Sequence, residues 1–420
     1  MPPTTTLAPR AEEIALPQEP PAATVYTPAI LLLAAIVGGS FLGLGFIMPL
    51  RAIYVRSIGS TAVEIGLMTT AYLLASFLAA PFIGRLIDRL GPSRLLWLGL
   101  AGHALVVIAY INVHAPVLFL ALRAAEGVTA AAVIPPARAM INRLAPASRQ
   151  GEALGLLSAA QEAGVLLGPA AGAFLASQVG YAPSFIIGAS GLLLGAIAAF
   201  CCLPSDRPTT TTISRRQRPG LVAVGTFTRP LVLAYSLSGL IALPHGVMMA
   251  LWSIYMLDRG ASLPLIGLTY TAAALPGLFV APLAGRWSDR YGRYWPIALS
   301  TVAIGAIYIV YGLPLTPIVL LVTCAVEGLI TAIGRSALDG LLADATPAGA
   351  QGRVQANFAA VTAAGRLVGS AGAGLLYIVQ PGAPFIVGGV ICALTGLALF
   401  LPALARLFAV AKVETQVSAG

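Results

Sequence analysis

Residues 84–91 read GRLIDRLG, and residues 285–292, 201 positions further along the chain, read GRWSDRYG. The same offset relates Glu126 to Glu327 and Gly164 to Gly365. A register that holds over so much of the chain indicates a tandem duplication. Because the duplicated stretches are hydrophobic, the sequence predicts two parallel membrane halves, an arrangement that places a binding site between them.

The composition supports a membrane protein. Of the 420 residues, 58% are hydrophobic and 9% are charged, whereas a soluble domain has about a quarter of its residues charged. Such a chain cannot cover a water-facing surface, so lipid is its expected solvent. The net charge of +9 does not indicate nucleic-acid binding, because most arginines lie in short gaps between apolar runs, as in membrane proteins.

Twelve apolar runs have about the 20 residues that a helix needs to cross the hydrocarbon core. They predict an all-α integral membrane protein with two six-helix bundles, residues 28–203 and 229–409, joined by a polar linker at 204–228. The tails at 1–27 and 410–420 are expected outside the bundles, the first of them disordered. The predicted spans are 28–50, 61–83, 95–113, 115–141, 153–178, 183–203, 229–257, 262–284, 294–313, 316–341, 354–379 and 383–409.

The distribution of positive charge predicts the orientation. Seventeen of the 24 Lys and Arg residues fall on the side that holds both tails, and three, Arg51, Arg56 and Arg259, fall in loops on the other side. This asymmetry places the tails, the linker and the two repeated segments in the cytoplasm. The expected location is the inner (plasma) membrane, with multiple spans.

Twelve spans in two repeats, each with a Gly-x-x-x-Asp-Arg-x-Gly loop after its second span, resemble the major facilitator superfamily over residues 28–409. The resemblance implies a secondary transporter that alternates access by rocking its two halves. It also implies two gating contacts that form when the cytoplasmic side is closed. Asp88 is expected to contact the start of span 11 near Arg353, and Asp289 is expected to contact the start of span 5 near Glu152. Alternatively, these loops are solvated turns whose charges only set topology. The expected gating residues are Gly84, Asp88, Arg89, Gly91, Gly285, Asp289, Arg290 and Gly292.

Two further motifs resemble those of proton-coupled drug exporters. Span 5 contains Gly164, Gly168, Pro169 and Gly172, and span 1 contains Leu42-Gly43 followed by Pro49. A glycine ridge lets one helix lie against another, and proline bends it. The ridge therefore serves either the transport mechanism or general helix packing.

Ionisable residues at membrane depth are costly and mark candidate functional positions. Burial favours the protonated form of a glutamate, and a neighbouring arginine favours the ionised form. Glu162 is the first candidate for a proton carrier and Glu126 the second, although static ion pairs within each half are the alternative. His245, between Pro244 and Gly246, marks a predicted helix break on the substrate path or a simple kink. His103 is expected to face lipid or to be structural, because the resemblance places span 3 at the periphery. The candidate residues for proton coupling or the substrate cavity are Arg123, Glu126, Glu162, His245, Glu327 and Arg366.

These patterns favour proton-coupled efflux of a small amphipathic or hydrophobic compound. The alternative is proton-coupled uptake, or carriage, of a small anionic or sugar-like metabolite, with Arg123 and Arg366 as anion ligands. An enzyme is disfavoured because the sequence shows no catalytic cluster, and the sequence contains no phosphate-binding Gly-Lys-Ser/Thr loop for ATP. The expected partners are therefore a small-molecule substrate, protons and the bilayer, with no cofactor, metal or nucleic acid, and the chain is expected to be a monomer.

Overall fold

The computed structural model describes residues 26–204, 227–347 and 350–402. Most of both tails and of the linker therefore lies outside the described residues. Helix α4 is divided at Ala132 and Val133 into Pro116–Ala131 and Ile134–Leu144. The helices are α1 Pro28–Ser57, α2 Ala62–Leu90, α3 Pro92–Tyr110, α4 Pro116–Leu144, α5 Gln150–Val179, α6 Tyr181–Cys202, α7 Arg229–Asp258, α8 Leu263–Tyr291, α9 Tyr294–Tyr311, α10 Pro317–Asp344, α11 Gln351–Val379 and α12 Ala383–Ala398.

The all-α membrane fold predicted from the sequence is confirmed. Within the described residues, 11 helices are long and apolar enough to cross a membrane. The last helix, α12, is apolar and shorter, with 16 residues, and the rest of its predicted run beyond residue 402 lies outside the described residues. The twelve helices correspond one by one to the twelve apolar runs.

The two halves repeat the same helix pairs. In the first half α1 packs on α5, α2 on α4 and α3 on α6, and in the second half α7 packs on α11, α8 on α10 and α9 on α12. The turns repeat as well, because Gly59 and its equivalent Gly260 both have positive φ, 97° and 79°. The duplication seen in the sequence is therefore a duplication of structure.

Two helices extend further than their apolar runs. Helices α2 and α8 continue through Leu90 and Tyr291, so the segments predicted as loops are mostly the last turns of helices. The chain reverses at Gly91 and Gly292, whose φ angles of 86° and 94° suit glycine because it lacks a Cβ. We call the end of the bundle that carries these two glycines the motif end, and the end that carries Gly59 and Gly260 the opposite end.

The two halves meet near the opposite end through two crossed helix pairs, α2 with α11 and α5 with α8. The pairs are repeat equivalents. A Cβ built on Gly66 would lie 3.1 Å from the carbonyl oxygen of Ser370, and one on Gly267 would lie 2.5 Å from that of Pro169. Backbones can come this close only where side chains are small.

Hydrogen bonds reinforce both pairs. The hydroxyls of Thr70 and Ser370 are 2.9 Å apart, and the hydroxyl of Thr271 donates to the carbonyl oxygen of Leu166 at 2.7 Å. Thr70 and Thr271 are themselves 201 positions apart. The interface therefore keeps the approximate twofold symmetry of the repeat.

At the motif end, the predicted gating contacts between the halves are not formed. Asp88 is exposed. Asp289 pairs instead with Arg293 of its own half, and Glu152 pairs with Arg149 at 2.7 Å. The structure is therefore closed at the opposite end and open at the motif end, the state in which those contacts are expected to be absent.

Because the closed end depends on close backbone approach, Gly267→Val should weaken it. A Cβ at this position would also lie 2.6 Å from the Cβ of Ala173, so closure requires the helices to move apart. We expect spin labels on α5 and α8 at the opposite end to show a larger fraction of long distances than in the unsubstituted protein. Gly277→Val, on the same helix with no atom within 4 Å of the added Cβ, is the control, and equal effects of both variants would contradict this account.

Candidate functional site

A cavity of about 180 Å³, here called cavity 1, lies where the two halves face each other. Helices α1 to α5 form most of its wall, and Met249, Ser253 and Tyr270 of α7 and α8 complete it. Most of the lining is aliphatic, aromatic or methionine. Its polar groups are Arg51, Thr69, Tyr72, His103, Arg123, Glu126, Ser253 and Tyr270.

Glu126 is the centre of the polar cluster in cavity 1. Its side chain is 1% exposed, and Arg123, one turn away on α4, donates to it at 2.5 Å. Arg51 of α1 pairs with Oε1 of this carboxylate, and the hydroxyl of Tyr110 donates to Oε2, the oxygen that Arg123 also contacts. The carboxylate is thus held as an anion between two guanidinium groups, which is how a charge remains tolerable at this depth.

Further groups surround this ion cluster. The guanidinium carbon of Arg123 lies 4.6 Å from the centre of the Tyr72 ring, a cation–π distance. His103 Nε2 lies 3.4 Å from a Glu126 oxygen, and His103 is 1% exposed. The expectation that His103 faces lipid is therefore wrong, because α3 turns this side chain inward to the carboxylate.

Arg51 is a site residue that the sequence reasoning placed in an external loop. That placement is wrong because α1 continues to Ser57, so Arg51 lies within the helix and its side chain is 16% exposed. One local signal was present, since Leu50, Ile53 and Tyr54 continue the apolar run at the i, i+3, i+4 spacing of one helix face. Its partner lies 75 positions away, beyond the reach of any local pattern.

A second cavity, cavity 2, of about 200 Å³, lies within the second half. His245, Glu327 and Arg366, which are candidates for proton coupling or the substrate cavity together with Arg123 and Glu126, all line it. It shares no lining residue with cavity 1. The candidate charges are therefore divided between two sites, because cavity 1 forms around Glu126 at the contact between the halves and cavity 2 forms around Glu327 inside the second half.

Cavity 2 reaches toward the motif end. Besides the charged residues, Ser300 and Thr301 of α9 and Phe358 of α11 contribute to its wall. The Nε atom of Arg366 is buried and has no hydrogen-bond partner among the described residues. His245 lies beside Pro244 inside a continuous α7, so the predicted helix break is not present.

The two equivalent glutamates have different neighbours. Glu327 is buried, 6% exposed, and accepts a hydrogen bond from the hydroxyl of Tyr311 at 2.8 Å, as Glu126 does from Tyr110. However, the positions equivalent to Arg51 and Arg123 are Trp252 and Cys324. Within the described residues, Glu327 forms no ion pair, so the same carboxylate position is charge-balanced in one half and not in the other.

Glu162 lies apart from both clusters. It is exposed on α5 and lines neither cavity. It is one helical turn from Val165, which lines cavity 1, so it belongs to the face of α5 that is turned toward α8. Its assumed burial is not observed because the halves are apart at its level toward the motif end. Its predicted role in proton coupling is untested, and the experiment proposed below compares it directly with Glu327.

The glycine ridge of α5 packs against α1. A Cβ on Gly164 would lie 2.6 Å from the carbonyl oxygen of Gly38, and one on Gly168 would lie 2.6 Å from the Cα of Gly45. Gly172 contacts Phe46 in the same way. The carbonyl of Pro169 faces Gly267 across the interface. The motif therefore permits close packing of α5 on α1 within the first half, and its proline also lies at the contact between the two halves.

The segments at the motif end differ between the repeats. Arg293 bridges Asp289 and Asp344, the latter at 3.0 Å, so it ties the end of α8 to the end of α10. The equivalent position in the first half is Pro92. Gly84, Arg89, Gly285 and Arg290 lie in the last turns of α2 and α8.

A duplicated helical bundle with a central cavity and buried charges defines a membrane transporter. A family model of the Major Facilitator Superfamily matches residues 30–244 and 238–414. The chain belongs to this superfamily and is a multi-pass membrane transporter of small molecules.

Relatives and solved structures give further comparisons. The chain is 26% identical over 273 residues to the quinolone resistance protein NorA of Staphylococcus aureus, covering 64% of this chain and 68% of NorA. It is 31% identical over 258 residues to the multidrug resistance protein MdtG of Citrobacter koseri, covering 59% and 63%. The crystal structure of the nucleoside transporter NupG has the same fold, with a TM-score of 0.72, 12% identity and coverage of 91% and 99%.

The different surroundings of Glu126 and Glu327 predict different effects of neutralising them. Glu126→Gln leaves Arg51 and Arg123 buried without their counter-ion, which is strongly destabilising. Glu327→Gln leaves no buried cation without its counter-ion, and the glutamine side chain still accepts a hydrogen bond from Tyr311. We expect the thermal unfolding midpoint of the purified protein to fall by several degrees for Glu126→Gln and to change little for Glu327→Gln. Equal losses would show that the arginine pair does not depend on Glu126.

Proposed function

We propose that this transporter exports a small amphipathic or hydrophobic compound across the plasma membrane in exchange for protons. The observation that carries the proposal is cavity 1, where the ion cluster around Glu126 lies in a mostly apolar wall contributed by both halves. Such walls accept varied apolar bodies, and methionine adapts to their shapes. The similarity to NorA and MdtG, proteins named for quinolone and multidrug resistance, supports this substrate class.

Glu327 is the proton carrier in this proposal. A buried carboxylate without a cation is costly in lipid, so Glu327 holds a proton while cavity 2 is shielded and releases it when water reaches the cavity. Glu126 is unsuited to this role because two arginines balance its charge. The proton and the substrate therefore occupy different halves, and rocking of the halves couples them.

The motif end faces the cytoplasm in this scheme, with both tails on that side, and the protein acts as a monomer. The structure then represents a state that is open to the cytoplasm and ready to load substrate. In the alternate state, Asp88 approaches the start of α11 near Arg353, and Asp289 exchanges Arg293 for the start of α5. Carboxylates are favourable at helix N-termini, so these contacts stabilise the closed motif end and bias the equilibrium between states.

The proposal is tested by transport of norfloxacin in inverted membrane vesicles with an imposed pH gradient. We expect uptake into the vesicles that a protonophore abolishes. Glu327→Gln should lose gradient-driven uptake and keep exchange of substrate between the two sides, because exchange needs no net proton movement. Glu162→Gln is the matched comparison and should retain uptake driven by the pH gradient.

Three results would change the assignment. Gradient-driven transport that survives in Glu327→Gln but is lost in Glu162→Gln would make Glu162 the carrier. Accumulation only in right-side-out vesicles would show uptake rather than export. Transport that is insensitive to the protonophore in every variant would remove proton coupling.

A further inference from the structure

Cavity 1 contains more positive than negative charge. Its wall includes Arg51 and Arg123 but only one carboxylate, Glu126, among the described residues. The tyrosine hydroxyls add no charge, and a proton on His103 would only increase the surplus. At least one positive charge is therefore uncompensated within the cavity.

An uncompensated charge is costly at this depth. Arg51 is 16% exposed and Arg123 9% exposed by side chain, so both are largely removed from water. Buried charges in proteins are normally paired. Here the surplus adjoins open space, so a ligand that enters the cavity can supply the missing negative charge.

The arginines also retain hydrogen-bonding capacity. Each contacts Glu126 through its Nη1 atom, and a guanidinium carries five N–H donors. The planar arrangement of these donors matches a carboxylate or another oxyanion. The rest of the wall, including Met48, Met68 and Phe119, suits an apolar body attached to that anion.

We propose that cavity 1 selects amphipathic organic monoanions, with the anionic group at Arg51 and Arg123 and the apolar body against the methionine and aromatic wall. The inference rests on the proposed function only in taking cavity 1 as the substrate cavity, and it holds for either direction of transport. A cavity with this selectivity differs from a general drug-binding pocket because its surplus positive charge repels lipophilic cations.

Three naphthalene compounds of matched size test the proposal by equilibrium binding to the full-length protein in lipid nanodiscs. They are 1-naphthaleneacetate, the neutral 1-naphthaleneacetamide and the cation 2-(1-naphthyl)ethylammonium. We expect the acetate to bind about 10-fold or more tightly than the amide, the effect of charge-assisted hydrogen bonds, and the ammonium compound to bind most weakly.

Substitutions then locate the charge that selects the anion. Arg51→Gln should weaken acetate binding about 10-fold and leave amide binding unchanged, because Arg123 still pairs with Glu126. Arg51→Lys keeps the charge and should retain most of the preference for the anion. Arg335→Gln removes a cation from cavity 2 and should leave acetate binding unchanged. The thermal unfolding midpoint of each variant verifies that it is folded.

Several outcomes would overturn the inference: no measurable binding of the acetate, amide or ammonium binding as tight as the acetate, or equal weakening of acetate and amide by Arg51→Gln. A loss of acetate binding in Arg335→Gln but not in Arg51→Gln would move the anion to cavity 2. Because binding at equilibrium needs no proton gradient, failure of proton-driven transport would leave this result intact, and failure of anion selection would leave proton coupling intact.

Discussion

The crossed packing of α2 on α11 and of α5 on α8 determines the relative position of the two halves. Gly66 and Gly267 permit the backbones to approach, and Thr70 and Thr271 add one hydrogen bond to each pair. Each half is a tightly packed bundle that deforms little. When the halves are joined near one end, they therefore separate at the other, and cavity 1 lies between them.

The two buried glutamates occupy one repeated position in two different electrostatic surroundings. Glu126 and Glu327 occupy equivalent places and both accept a hydrogen bond from an equivalent tyrosine. Arginines balance the first, whereas Trp252 and Cys324 stand at the corresponding places in the second half. Charge in lipid must be paired, neutralised or hydrated. The first half therefore contains an ion cluster, and the second half contains a carboxyl group without a counter-ion among the described residues, which is why we propose Glu327 as the proton carrier.

Much of the fold could be predicted because the repeat and the apolar runs are properties of the sequence itself. The pairing of Arg123 with Glu126 was also accessible, since residues three apart share a helix face. Arg51 and His103 could not be placed, because their common partner lies on α4 and only the packing of α1, α3 and α4 brings them to it.

The separation of the charges into two cavities also depends on how helices pack within each half rather than on local sequence. The exposure of Glu162 depends on which end is open, a property of the conformational equilibrium that no spacing of residues encodes. The turns at Gly91 and Gly292 were visible as motifs, but the helical form of the preceding residues was not.

The central claim is that closure at one end requires opening at the other. It is tested most directly by distances between spin labels in lipid nanodiscs, in protein whose exposed Cys201 and Cys202 are replaced by alanine. Labels at Leu86 and Gln351 report on the motif end, and labels at Gln178 and Ser262 report on the opposite end. Across a series of pH values, the account predicts that the fraction of long distances at one end equals the fraction of short distances at the other. Distances that lengthen or shorten together at both ends, or a motif end that stays fixed during transport, would contradict it.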